Sequence, residues 1–156
     1  MFQGEHFFPI SIQIFDNPLK YTLHTSLLLF VLCTPQCDGP SMFPTIEGKN
    51  SFVLVDYFSY KVMRQAFQKG DVVVALSPCH FYRPVCKRIC AIEGEEVCYE
   101  SPQTGQQERC VVPEDHVWLL GDNPDFSGDS RHYGPVRRRN IRGRVFVNLW
   151  PLSIIT

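Results

Sequence analysis

Short apolar runs set the fold class. From Asn50 onward, stretches rich in Val, Ile, Leu and Phe alternate with Gly, Pro and polar residues. Ser51–Asp56 is the first run, and Asp71–Leu76, entered through Lys69 and Gly70, is the second. Val85–Ile92, Glu96–Tyr99, His116–Leu120 and Ile141–Trp150 follow. Runs of this length and composition, bounded by turn residues, read as strands. Twelve Pro and ten Gly among 156 residues weigh against a helical bundle, because both interrupt helices. One short helix fits 57–68. Ser101–Arg109 is polar, holds Pro102 and Gly105, and reads as a loop. The expected class is mostly β with one core, since this length suits one modest domain and not two.

Apolar residues at 44% and charged residues at 20% exclude a disordered chain. A net charge of −1 excludes a globally basic nucleic-acid binder, so no nucleic-acid partner is expected. The seven cysteines are Cys33, Cys37, Cys79, Cys86, Cys90, Cys98 and Cys110. Their odd number leaves at least one thiol unpaired within the chain. None of their spacings is that of a zinc motif, and they read as small buried residues, so no metal is expected.

The N-terminal segment, residues 1–36, differs from the rest. Tyr21–Cys33 is an uncharged run of 13 residues, apolar on every side from Leu27 to Leu32. That composition suits lipid or a fully buried helix. A spanning helix needs about 20 residues, so the run is short for one. With its flanks, about 19–34, it is the candidate membrane anchor, and 37–156 is the candidate catalytic domain.

Three stretches can carry chemistry. In the first, Ser41 sits between Pro40 and Pro44 and two residues after Gly39. The prolines fix their own torsions and restrict their neighbours, and Gly39 permits close backbone approach. A hydroxyl held this way can be presented as a nucleophile, although the same residues also make an ordinary turn. In the second, the two-residue period of a strand puts Val85, Lys87, Ile89 and Ala91 on one face, with Lys87 its one charge. Burial of that face would disfavour the ammonium and make the lysine a general base near neutral pH. A fall from about 10.4 to about 7 corresponds to roughly 4–5 kcal/mol against the charged form. A lysine that snorkels or pairs with a carboxylate is the plainer alternative. The third is the polar run Gly121–Arg131 after an apolar strand, a loop able to carry function or simply to make two tight turns.

Together the three stretches are far more specific than each alone. Gly-Pro-Ser-Met-Phe-Pro-Thr (39–45), Lys-Arg-Ile (87–89) and Gly-Asp-Asn…Ser-Gly-Asp-Ser-Arg (121–131), running on to Tyr-Gly-Pro-Val (133–136), occur in that order. The set resembles the type I signal peptidases, the membrane-bound serine–lysine proteases, over about residues 37–152. The compact size resembles the mitochondrial inner-membrane branch of that family. Gly-Asp-Asn, Asp-Ser-Arg, Arg142-Gly143-Arg144 and Trp150-Pro151-Leu152 resemble its subunit 1 type.

The resemblance implies a coiled antiparallel β-sheet domain behind an N-terminal apolar helix. It implies Ser41 as nucleophile and Lys87 as general base, with no cofactor. Ser127 matches the serine that hydrogen-bonds and orients the lysine. Asp129 and Arg131 match a structural ion pair, and Gly121, Asp122 and Asn123 match the residues packed around it. Met42 and Phe43 are candidates for a shallow pocket that reads small residues before the cut, or for a face toward lipid. The implied partners are precursor proteins with cleavable sorting signals, the membrane, and a second related protease subunit. The implied place is the mitochondrial inner membrane, with the catalytic domain in the intermembrane space.

Departures from the family pattern matter too. Many bacterial relatives carry a serine two residues before the nucleophile as a second oxyanion donor, and that position is Gly39 here. Arg137 replaces the proline that usually follows Gly-Pro-Val. Other readings are a serine–histidine triad built on His116 or His132, a self-cleaving repressor-type protease, and an inactive homologue that binds within a protease complex. The arginines at 137, 138, 139, 142 and 144 could meet anionic lipid or line a solvated strand edge.

Overall fold

The computed structural model describes residues 36–37, 39–48, 51–57, 66–79, 83–149 and 152–155. The candidate anchor at 19–34 lies outside the described residues, as does most of the helix expected over 57–68. The parts of that helix that are described, Tyr57 and residues 66–68, are not helical. Among the described residues, no helix is long and apolar enough to cross a membrane.

Eight strands form one sheet among the described residues, and every pairing is antiparallel. They are β1 (Gln36–Cys37), β2 (Ser51–Asp56), β3 (Val72–Leu76), β4 (Pro84–Ile92), β7 (His116–Leu120), β8 (Val136–Arg137), β9 (Ile141–Leu149) and β10 (Leu152–Ile154). Their order is β1-β2-β9-β3-β4-β7-β8, with β10 folded back on β9. A separate hairpin joins β5 (Glu96–Glu100) to β6 (Gln107–Val111). The fold is therefore mostly β.

β3 explains why the chain reads as apolar runs and not as strict alternation. Val72 and Val74 pack with Val53, Val55 and Val145 in one cluster, while Val73 and Ala75 pack with Ile89, Leu119 and Ile141 in another. A strand covered on both faces needs apolar residues at every position. β9 lies beside β2 at Val55↔Val145 and beside β3 at Val72↔Val145, so the first core forms around this crossing. Bulges at Leu54/Val55, Val74/Ala75 and Ile89/Ala91 interrupt the ladders, and bulges increase local twist.

One expectation needs correction. The polar stretch 101–109 is not all loop, because Gln107–Val111 pairs with Glu96–Glu100. Its tight connection is closed by Ser101 N–H to the Gln106 carbonyl at 2.9 Å and Gly105 N–H to the Ser101 carbonyl at 2.8 Å. The strand looks polar because both strands of this ribbon alternate exposed and half-buried positions. The ribbon is held by Tyr99, whose ring lies 4.9 Å from that of Trp118. The last run gives one strand, β9 (Ile141–Leu149), and beyond it β10 returns along β9.

Candidate active site

Ser41 lies on a 3₁₀ turn, Pro40–Met42, between β1 and β2. Two backbone hydrogen bonds shape the turn, Phe43 N–H to the Pro40 carbonyl at 3.1 Å and Ile46 N–H to the Met42 carbonyl at 2.9 Å. Gly39 enters at φ +109°, a conformation that favours glycine, and its N–H meets the Gly48 carbonyl at 2.9 Å. Gly48 is held to glycine as well, because a Cβ there would collide with the Gly39 carbonyl. Met42, 3% exposed, turns into the core beside Ile46, Val53 and Val55 and fastens the turn to the sheet. It therefore takes a core position. Phe43 is 53% exposed.

Lys87 reaches the serine from β4. On that strand Lys87, Ile89 and Ala91 are buried, and the lysine is only 3% exposed. Its Nζ lies 2.7 Å from Ser41 Oγ and donates to the Cys86 carbonyl at 2.9 Å. As an ammonium, Lys87 donates to the serine oxygen. As a neutral amine, it can accept the serine proton along the same line.

The segment after β7 closes the other side. Asn123 N–H donates to the Ser41 carbonyl at 3.0 Å, and Asn123 Nδ2 donates to the Pro40 carbonyl at 3.1 Å. Gly121 fits only as glycine, since a Cβ would strike the Ser127 side chain and the Ser41 carbonyl. Ser127 and the Ser41 carbonyl thus both crowd Gly121. The Ser127 hydroxyl, 5% exposed, forms no full hydrogen bond, although it lies near enough to Asp129 to help keep that carboxyl charged. The expected hydrogen bond from Ser127 to Lys87 is accordingly not formed here.

Two ion pairs fix this segment. Asp129, 0% exposed, accepts from Arg131 Nε at 2.9 Å, Arg131 Nη2 at 3.0 Å and Gly121 N–H at 3.1 Å. Burial alone would raise its pKa, but these donors outweigh burial and hold it below the ordinary value. Asp129 also caps the one-turn helix α1 (Ser130–Tyr133), accepting from Arg131 N–H at 3.2 Å. Asp122 receives Arg88 in a bidentate pair, at 2.9 Å from Nε and 2.8 Å from Nη2. Burial again pushes Asp122 up, and the bonds from Arg88 and Thr45 bring it below the ordinary value. The Asp122 bond in turn raises Arg88.

The structure therefore gathers Gly39, Ser41, Lys87, Gly121, Asn123 and Ser127 around one hydroxyl. Asp122, Asp129 and Arg131 stand behind them. Thr45 and Arg88 received no role from the sequence alone, yet both hold Asp122. Arg88 Nη1 also donates to the Gly70 carbonyl at 2.7 Å, tying this clamp to the entry of β3. For Arg88 the signal was the strand period, which sends it to the face opposite Lys87. His116 contacts the Glu114 carbonyl and His132 contacts Asp129, so neither joins the Ser41 cluster. Among the described residues, no group of three or more His, Cys, Asp or Glu side chains could hold a metal.

Comparison with known proteins gives the family. A family model for signal peptidase, peptidase S26, matches residues 20–106 and 99–150. Mitochondrial inner membrane protease subunit 1 of Xenopus tropicalis is 45% identical over 117 residues, covering 75% of this chain and 68% of the relative. Mitochondrial inner membrane protease subunit 2 of Danio rerio is 34% identical over 119 residues, covering 74% of this chain and 63% of the relative. A crystal structure of a signal peptidase I from Enterococcus faecalis V583 aligns with a TM-score of 0.44 at 23% identity, over 51% of this chain and 97% of that chain. By the family model and these relatives, the chain belongs to the S26 signal peptidase family.

Proposed function

We propose that this chain is a serine–lysine endopeptidase that removes signal or sorting sequences from precursor proteins. The observation that carries the reading is the 2.7 Å approach of Lys87 Nζ, almost fully buried, to Ser41 Oγ. Ser41 attacks the scissile carbonyl carbon while Lys87 takes the hydroxyl proton. The Ser41 backbone N–H faces the developing oxyanion. Lys87 then gives its proton to the leaving amine as the carbon–nitrogen bond breaks. A water, deprotonated by the same lysine, hydrolyses the acyl-enzyme. Phe43, exposed two residues after Ser41, is the candidate wall of the pocket that reads a small residue before the cut.

Membership of the family and the names of the relatives support a place at the mitochondrial inner membrane and work within a protease complex. On this reading the segment 19–34 anchors the chain, the catalytic domain faces the intermembrane space, and a related subunit is the partner. The test is cleavage of a precursor peptide by wild-type, Ser41→Ala and Lys87→Met proteins in detergent with EDTA, from pH 6 to 10. Activity is expected in the wild type alone. Cleavage that survives in both variants would remove Ser41 and Lys87 from the mechanism.

A further inference from the structure

Asn123 occupies the N-cap of the 3₁₀ turn Pro124–Phe126. Asparagine is favoured at such positions because its side chain caps free N–H groups. Here the side chain makes no capping hydrogen bond. It reaches across the chain, 83 positions in sequence, and donates from Nδ2 to the Pro40 carbonyl at 3.1 Å. Only the NH₂ end of the amide can face a carbonyl oxygen, which fixes the orientation of the group.

The bonded carbonyl belongs to the peptide between Pro40 and Ser41. The N–H of that same peptide is the Ser41 N–H, the donor assigned above to the oxyanion. A hydrogen bond to one end of a peptide strengthens the donor at its other end, because bonds in a chain polarise one another. The backbone N–H of Asn123 meanwhile holds the Ser41 carbonyl at 3.0 Å. One residue thus grips both peptides that flank the nucleophile. Gly39 offers no hydroxyl as a second oxyanion donor, so the strength and aim of the Ser41 N–H matter more.

We infer that Asn123 is a positioning residue for the oxyanion hole, acting through the Pro40–Ser41 peptide. The inference rests on the serine–lysine reading of the site. The Asn123 side chain bonds the Pro40 carbonyl, whereas the proposed proton transfer runs between Ser41 Oγ and Lys87 Nζ.

The test compares the full-length wild type with Asn123→Asp and Asn123→Ala. The first keeps the shape and loses the donor, the second loses the whole group, and both keep the backbone bond to Ser41. The readouts are kcat and KM on a precursor peptide, the pH profile, the unfolding midpoint, and affinity for a peptide boronic acid. The boronate adds to a serine oxygen as a tetrahedral anion and mimics the oxyanion. Both variants should lose about 10- to 100-fold in kcat, less than the roughly 10²–10³-fold lost with a direct donor. Boronate affinity should fall in parallel, with KM and the lysine-dependent pH limb unchanged. Unchanged kcat, a loss carried only by KM, a shifted pH limb, or a loss that tracks the unfolding midpoint would overturn the inference. A wild type that neither cleaves the peptide nor binds the boronate would overturn the serine–lysine reading itself. An active wild type with equally active variants would overturn only the role of Asn123.

Discussion

Lys87 and Arg88 are neighbours on one strand with opposite duties. Lys87 points into the cluster around Ser41, while Arg88 points the other way and clamps Asp122. Breaking that clamp should loosen the segment that carries Asn123. Arg88→Met is expected to cost about 1–3 kcal/mol, as for hydrogen bonds to charged groups in a half-buried site. Urea unfolding measures it, and an unchanged midpoint would deny the clamp a structural role. Asp129 gives a pH signature. Its pKa is lowered in the fold relative to about 3.9 in the unfolded chain. A lowered carboxyl stabilises the fold above its unfolded pKa, and that contribution is lost as pH falls through the folded value. Stability should therefore drop below about pH 4, and Asp129→Asn should be less stable at neutral pH with a shallower acid limb. Thermal unfolding from pH 2 to 7 checks both statements.

Legibility at the level of elements followed burial. β3, β4 and β7 were readable because they lie in the middle of the sheet and are built from apolar residues. β6 was missed because a two-stranded ribbon with one face in water needs few apolar residues. β1 and β8 are each two residues long, too short to show any period. The site divides in the same way. Ser41 and Lys87 were legible from motif and alternation, although 46 positions apart. The Thr45–Asp122–Arg88 clamp was not, because it depends on how β4 pairs with β7 past a bulge. Two changes probe these elements. Trp118→Ala removes the buried ring on which Tyr99 rests and should cost about 3–5 kcal/mol. Amide exchange should quicken first in the β5–β6 hairpin, and uniform quickening would deny the hairpin its separate hold. Gly121→Ala should abolish cleavage, since a methyl there must displace Ser127 and the Ser41 carbonyl. A fully active variant would mean that this contact does not shape the site.

At the scale of the molecule, one antiparallel sheet carries the parts of a hydrolase on three separated stretches of chain. The Ser41 turn precedes β2, Lys87 sits on β4, and the segment with Asn123 follows β7. On the proposed reading, residues 19–34 hold the protein at the membrane. Deleting 19–34 should release the protein into the soluble fraction on alkaline extraction, and retention in the pellet would count against that stretch as the anchor. The proposed mechanism passes through a covalent bond between Ser41 and the substrate. Mass spectrometry of protein quenched during turnover of a precursor peptide detects that bond. An acyl adduct on Ser41 is expected, forming faster as pH rises and absent from Lys87→Met. An adduct on another residue, or one formed equally well without Lys87, would contradict that mechanism.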